Sequence, residues 1–428
     1  MNRALIASIV LGAGLVSGGM LIQSGGWQEA AAAPASPRLF EEVMERVRRD
    51  FIDTISTDQM LRLAASGVVE EVDERYSLLL TPERLKRLRE NASGRYAGIG
   101  VEVDIRDGFV TVIAPIAGTP ADSAGISPGD RIINIDGKST YRLTMEEVDQ
   151  ALRGPPGSTV RLTVERGTDT PKFTLKRRMI VYHAVRRAQL LPGGVGYVEL
   201  ATFNADAARD VRRAVDSLRT KRPSSAATAL ILDLRENPGG LLEQGIAVAE
   251  LFLDPPKTIA STRGRTPESN REFVDEATQL WPAMPIVVLV DTGTASAAEI
   301  VAGALQDHRR AVLVGSPTFG KGSAQSLFPV TGGHALKLTT ARWFTPKGRT
   351  IERDSTTGGI EPDVLVREEG GGRRLEVDSL KRKGAPPSSL IPAPSADPVV
   401  QRALELLRGV RTPAELQARV PARPRKSD

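Results

Sequence analysis

The chain of 428 residues has no cysteine, only three histidines and few aromatic residues, 4% of the total. Without cysteine there are no disulfides, no thiolate nucleophile, no zinc–thiolate site and no lipoprotein-type lipid anchor. The same absence leaves the compartment open, because an envelope protein can simply avoid thiols. Histidine chemistry has only His183, His308 and His334 to draw on. No His, Asp and Glu cluster has metal-ligand spacing, so neither a metal nor another cofactor is expected. The formal net charge is +5, from 57 Lys+Arg against 52 Asp+Glu, and part of the excess sits at the two ends. No basic stripe carries interleaved aromatics, which argues against nucleic acid as a partner.

What is present describes an ordinary globular protein of two or three domains, with 40% hydrophobic and 25% charged residues. The start is distinctive. Arg3 precedes the uncharged stretch "ALIASIVLGAGLVSGGMLI", and "EAAAAPAS" follows. A basic start, an apolar run and small residues describe an export signal. The run is also long enough to remain as a single membrane anchor, the reading favoured here. Residues 1–34 are therefore assigned as signal peptide or N-terminal anchor. No other segment has membrane length, so the remainder is expected outside the inner membrane, where soluble ATP is not.

Residues 35–96 read as helical. In "LFEEVMERVRRDFI" the apolar Leu39, Val43, Val47 and Phe51 recur every four residues. "TPERLKRLREN" opens with Thr81 and a proline at the first helical position. This region is expected to be a helical cap or dimerisation element. Residues 97–178 are β-rich, with glycine turns such as "RDG" and one longer helix at "TMEEVDQALRG". Such a module can add a peptide strand to an exposed sheet edge and hold its carboxylate with backbone N–H groups. Over residues 179–369, strands such as "ATALILDLR", "PIVVLVD" and "AVLVG" alternate with helices. That alternation predicts an α/β domain with mainly parallel strands. Residues 370–428 read as a linker, an amphipathic helix and a basic tail. No internal repeat is present.

Three segments carry candidate chemistry. "DLRENPGGLL" places two glycines where a strand turns into a helix. Its free N–H groups could hold an oxyanion, or the glycines could serve only the turn. "DTGTASAAEI" puts Ser296 at a helix start after a buried strand. On the motif alone an N-cap is the simpler role for that hydroxyl. "GSPTFGKGSAQ" resembles a phosphate-binding loop, but Gly322 stands where Ser or Thr must follow the lysine, and no helix follows. Lys321, flanked by glycines, is then either a solvated charge or a buried amine. Burial would lower its pKa and make it a general base for a serine without histidine. The side-chain amide of Gln325 could hold the amine in position. Glu299 and Asp307 are read as solvated or dipole-related charges, His308 as solvated or helix-terminal, and His183 and His334 as lacking a paired acid.

Taken together, "GIGVEV", "PADSAGISPGDRIINIDG", "DLRENPGGLL", "VLVDTGTASAAEI", "GKGSAQ" and "KLTTARWFTPKGRTIERD…GGIEPDV" resemble the C-terminal processing peptidases. These tail-specific proteases are serine–lysine peptidases that carry a PDZ domain. The matches occur in the family's order and, with the looser "DERYSLLL", run from Asp73 to Val366. The resemblance implies an α/β, multidomain chain: an N-terminal helical region, a PDZ domain at 97–178 and a peptidase core at 179–369. It implies Ser296 as nucleophile, Lys321 as general base and Gln325 as the residue that orients the lysine. Gly240 and Ala297 match the oxyanion-hole positions, and Gly98, Ile99 and Gly100 the loop that receives a substrate's C-terminal carboxylate. The expected partners are proteins with free, apolar C-termini, with room for a homo-oligomer or an activating partner; no metal or nucleotide is implied. The expected location is the bacterial periplasm or cell envelope. Two positions depart from the family's pattern: Arg75 replaces a common proline, and Ala324 a larger hydrophobic residue. The alternatives at this stage are a non-catalytic PDZ adaptor and an esterase pairing Ser296 with His308 or His334.

Overall fold

In the computed structural model, residues 37–73, 75–220, 226–353, 358–366 and 397–420 are described. The expected N-terminal signal or anchor, most of the linker and the basic tail lie outside them. The chain divides into a unit of residues 1–68 and one of residues 69–428. The first contains the helix Pro37–Asp50 and the start of the helix Thr57–Val72. The apolar periodicity of Pro37–Asp50 does not translate into a core: no residue of this helix is buried. Among the described residues no helix is long and apolar enough to cross a membrane.

The second unit is organised by strands whose residues are apolar on both faces. Its central sheet runs in the order β1 (Val185–Leu191), β2 (Val195–Leu200), β3 (Ala229–Asp233), β4 (Ile286–Val290), β5 (Val312–Gly315) and β6 (Val364–Leu365). From β2 to β6 neighbouring strands are parallel, and β1 is antiparallel to β2. Every residue of β3, β4 and β5 is buried, as a parallel sheet covered on both faces requires. Alternation then sorts the side chains. Val288 and Val290 join the core under α1 (Ala207–Thr220), α2 (Leu242–Glu250) and α3 (Ala297–Asp307), while Val287 and Leu289 face the opposite side. That side is covered by α4 (Pro398–Leu407), through Val399, Val400, Ala403, Leu406 and Leu407.

A second, antiparallel sheet was not foreseen. It joins Ala335–Phe344 to Ser323–Pro329, to Thr258–Gly264 and to Leu78–Leu80, with Arg271–Val274 at its margin. Leu78–Leu80 lies in a region expected to be wholly helical. Its three leucines pair instead with Ala335, Leu336 and Lys337, far along the chain.

The β-rich module has strands Val101–Arg106, Phe109–Pro115, Arg131–Ile135, Thr159–Glu165 and Lys172–Lys176 in that order across one sheet. Val101–Arg106 is therefore an edge strand. The helix Met145–Leu152 is closed at its start by a reciprocal cap between Thr144 and Glu147. Its Val148 and Leu152 enter a core with Ile99, Val112, Ile132 and Leu162.

A buried ion network fastens α4 to the sheet. Arg235, fully buried, donates to Asp233 at 2.8 and 3.0 Å and lies 2.9 Å from a carboxylate oxygen of Asp397. Asp397 also caps α4, accepting the N–H groups of Val399 and Val400. Removing one partner of a buried pair leaves an uncompensated charge, which costs about 3–5 kcal/mol. Asp397→Ala is expected to fall at the low end, about 3 kcal/mol, since Arg235 keeps Asp233. Asp397→Asn, which retains a capping oxygen, should lose less. Urea unfolding of both variants checks the order; equal midpoints for wild type and Asp397→Ala would refute it.

Candidate active site

In a parallel sheet the carboxyl ends of the strands open on one side, and ligands gather there. The three candidate segments are the turns that leave β3, β4 and β5 at that edge. Ser296 follows β4 and precedes α3 with φ 56° and ψ −119°. A positive φ is uncommon for a residue with a Cβ and is held only when surrounding structure over-determines it. Its hydroxyl makes no capping hydrogen bond. The expected N-cap role is thus not what the hydroxyl does; the Ser296 backbone N–H instead donates to Glu299 Oε2 at 2.8 Å.

Glycine is required opposite. A Cβ on Gly239 would lie 2.8 Å from Ser296 Cβ and 2.9 Å from the Ala297 nitrogen. One on Gly240, at φ 150°, would meet the Phe203 carbonyl at 2.4 Å. Asn237 locks the two turns together. Its backbone carbonyl accepts the Ala295 N–H at 2.9 Å, and its side-chain oxygen accepts the Gly239 N–H at 2.9 Å. Among the described residues, the N–H groups of Gly240 and Ala297 have no acceptor.

Glu299 corrects a reading made from sequence. It is not solvated but 0% exposed, and its carboxylate accepts four hydrogen bonds. Oε2 takes the backbone N–H groups of Ser296 at 2.8 Å and Lys321 at 2.9 Å. Oε1 takes the Gly320 N–H at 2.7 Å and the Thr318 hydroxyl at 2.5 Å. Burial pushes this carboxyl up from its ordinary range, while the four donors favour the anion. One oxygen therefore clamps the backbones of Ser296 and Lys321. Asp307 is likewise buried, and Arg349 lies 2.5 Å from it.

Lys321 is half-buried, and its backbone carbonyl accepts the Trp343 indole N–H at 3.0 Å. Gly322 beside it has no room for a side chain, since a Cβ would lie 2.7 Å from the Glu352 nitrogen. The Lys321 amine sits 4.8 Å from the centre of the Tyr76 ring. Burial holds its pKa below the ordinary lysine value, with the Lys337 charge acting in the same direction. Gln325 does not hydrogen-bond this amine; its Nε2 donates to Ser323 Oγ at 3.0 Å and Thr339 Oγ1 at 3.4 Å.

A cleft of about 1700 Å³ brings these groups together. Ser296, Ala297, Gly240, Lys321 and Gln325 line it, as do Gly98, Ile99 and Gly100 at the entrance to the β-rich module. Gly100 has φ 75°, and a Cβ there would strike Thr119 at 2.4 Å. No acceptor among the described residues meets the N–H groups of Ile99 and Gly100. No histidine is among the lining residues. His308 contacts the Thr258 carbonyl at 2.7 Å, and His183 has an acid nearby after all, Asp210 at 3.6 Å. No group of three His, Cys, Asp or Glu side chains that could hold a metal occurs among the described residues.

Comparison with known proteins gives the family. The model of peptidase family S41 matches residues 194–366, and that of the PDZ domain residues 111–166. The carboxy-terminal-processing protease of Bartonella bacilliformis is 35% identical over 86% of this chain and 88% of its own length. The chain belongs to peptidase family S41. A carboxyl-terminal-processing protease of Synechocystis is 41% identical over 71% of this chain and 70% of its own. Carboxy-terminal processing protease CtpA of Bacillus subtilis is 33% identical over 79% and 71%. A solved structure named as an S41 protease from Bacteroides fragilis shares the fold, with a TM-score of 0.52 at 18% identity over 88% of this chain and 98% of that one. This S41 peptidase is thus a C-terminal processing serine protease with a PDZ domain on an α/β core.

Sequence reasoning passed over Glu299, although a signal was available. Ser followed three residues later by Glu is the capping-box spacing, and here its glutamate half is used. Glu299→Gln would turn an amide N–H₂ toward N–H donors and leave buried groups unmatched, at about 1–3 kcal/mol each. We expect proteolytic turnover to fall about 100-fold or more, with a lower melting temperature. Full activity in that variant, measured on an unfolded protein substrate, would show that the clamp does not set the site's geometry.

Proposed function

We propose that the protein recognises free, apolar C-terminal tails through its PDZ domain and cleaves peptide bonds with a Ser296–Lys321 dyad. The observation that carries this reading is the uncapped Ser296 hydroxyl in a cleft shared with a partly desolvated lysine and two unpaired N–H groups. Neutral Lys321 takes the proton from Ser296 Oγ as the oxygen attacks the substrate carbonyl carbon. The oxyanion is received by the N–H groups of Gly240 and Ala297. Lys321 returns the proton to the leaving amine, and water hydrolyses the acyl-enzyme with the same lysine as base. Gln325 uses its Nε2 on two hydroxyls, which leaves Oε1 to accept from the amine and orient it. The free edge of Val101–Arg106 supports strand addition by the tail, with its carboxylate on the Gly98–Gly100 loop. Binding the tail away from the reacting bond offsets the cost of ordering a flexible substrate.

Digestion of an unfolded protein with an apolar C-terminus tests this reading. Ser296→Ala and Lys321→Ala should each lose roughly 10⁴-fold in kcat, and His308→Ala and His334→Ala nothing comparable. Amidating the substrate's terminal carboxylate should raise KM. Full activity in Lys321→Ala would sink the dyad. A base is useful only when unprotonated, so kcat/KM should fall as pH drops through the lowered pKa of Lys321. The midpoint should lie below the ordinary lysine value of about 10.4, and a limb abolished by a histidine variant would contradict this.

The apolar stretch beginning at Ala4 supports export, with the protein in the periplasm or envelope and retained by an uncleaved anchor. N-terminal sequencing of the mature protein checks this: a start near residue 34 would mean cleavage instead.

A further inference from the structure

The lysine's surroundings include a residue that the dyad alone does not explain. Tyr76 lies in the segment after the helix Thr57–Val72, and its half-buried ring presents a face to the Lys321 amine at 4.8 Å. Its neighbours pin that segment to the strand Ala335–Phe344. Asp73 accepts hydrogen bonds from the Ser77 hydroxyl at 2.7 Å and from the Thr339 hydroxyl at 2.5 Å. Ser77 Oγ in turn accepts the Thr339 N–H at 3.0 Å. Immediately after it, Leu78 pairs with Lys337 and Leu80 with Ala335. Thr339 is also a partner of Gln325. The ring is thus held in place by the strand that supports Gln325.

We propose that Tyr76 is a positioning residue for the dyad, a wall that closes the Lys321 amine off from bulk water and fixes it over the ring face. The proposal rests on Lys321 being the base, and names what keeps that base ready. The other charged groups acting on the amine are Lys337, which favours its neutral form, and Glu299 and Glu352, which favour the ammonium. Glu299 is occupied by four donors, and among the described residues one buried oxygen of Glu352 has no partner. With two carboxylates drawing a proton toward the amine, exclusion of water is what keeps it usable as a base. The ring acts in two opposed ways: its electron-rich face attracts an ammonium, while its bulk removes hydration from one. Burial is the largest influence on the amine and lowers its pKa; on this proposal the ring's share of that burial outweighs its attraction.

The test titrates the amine itself. Competitive acetylation of the intact protein with acetic anhydride across pH, read at Lys321 by peptide mass spectrometry, gives its protonation midpoint. Tyr76→Ala should move the midpoint up by about one pH unit. Tyr76→Leu, which keeps bulk without the ring's attraction, should leave it level or lower. Tyr76→Phe, which keeps the face, should leave it with wild type. The acid limb of kcat/KM should follow the same order. An unchanged midpoint in Tyr76→Ala, or an equal rise in Tyr76→Leu, overturns the proposal. If the Ala variant fails to fold, Tyr76→Val, which still removes most of the wall, takes its place: its midpoint should rise in the same direction, and an unchanged midpoint there overturns the proposal. Labelling midpoints that move while the activity limb stays fixed would instead refute Lys321 as the base, which separates the two failures.

Discussion

The arrangement depends on one buried carboxylate. Three turns at the edge of a parallel sheet must be brought into register, although they leave separate strands and approach from different parts of the chain. Glu299 joins two of them, the serine turn and the lysine loop, with two oxygens and four donors, and two of those donors are the backbones of Ser296 and Lys321. An unpaired charge in that position would be costly enough to disfavour the fold. Because every acceptor site is filled, the cost turns into geometry: the serine's unusual backbone angles and the lysine loop are fixed by the same group. Asn237 performs the matching task between the glycine turn and the serine turn.

This clamp explains why the hydroxyl is available. A serine at a helix start ordinarily spends its oxygen on the helix's free N–H groups. Here Glu299 binds the Ser296 N–H, and the positive φ leaves the hydroxyl without a capping bond. The unsatisfied N–H groups of Gly240 and Ala297 are then available to a ligand. An apparent defect in helix capping is the arrangement an acyl-transfer site needs.

Much of the fold was legible because its signals are local. The strands β3, β4 and β5 are uninterrupted apolar runs, and a residue that is apolar on both faces of a strand can only be covered on both sides. Thr144 with Glu147, and Thr81 with Pro82, announce helix starts within four residues. Lys321 stood out because its loop breaks a local rule, a phosphate loop lacking its hydroxyl, whereas Ser296 fitted an N-cap and the glycines a turn until the resemblance across all segments gave them roles. The illegible parts are those that exist only across the chain. Leu78–Leu80 becomes a strand through partners at Ala335–Lys337. Tyr76 acquires meaning only when it meets Lys321, and Asp397 only when α4 reaches Arg235. Glu299 looked like a surface charge because nothing in "SAAEI" reveals that the loop from Thr318 to Lys321 will close over it.

On the proposed dyad, Ser296 is reactive because Lys321, in the same cleft and with its pKa lowered by burial, takes the hydroxyl proton. The rate at which a fluorophosphonate modifies Ser296, followed by intact mass and peptide mapping at fixed pH, measures this without any protein substrate or PDZ engagement. A single modification at Ser296 is expected in the wild type, with near abolition in Lys321→Ala. Equal labelling rates in the two proteins, or modification of a different serine, would contradict it.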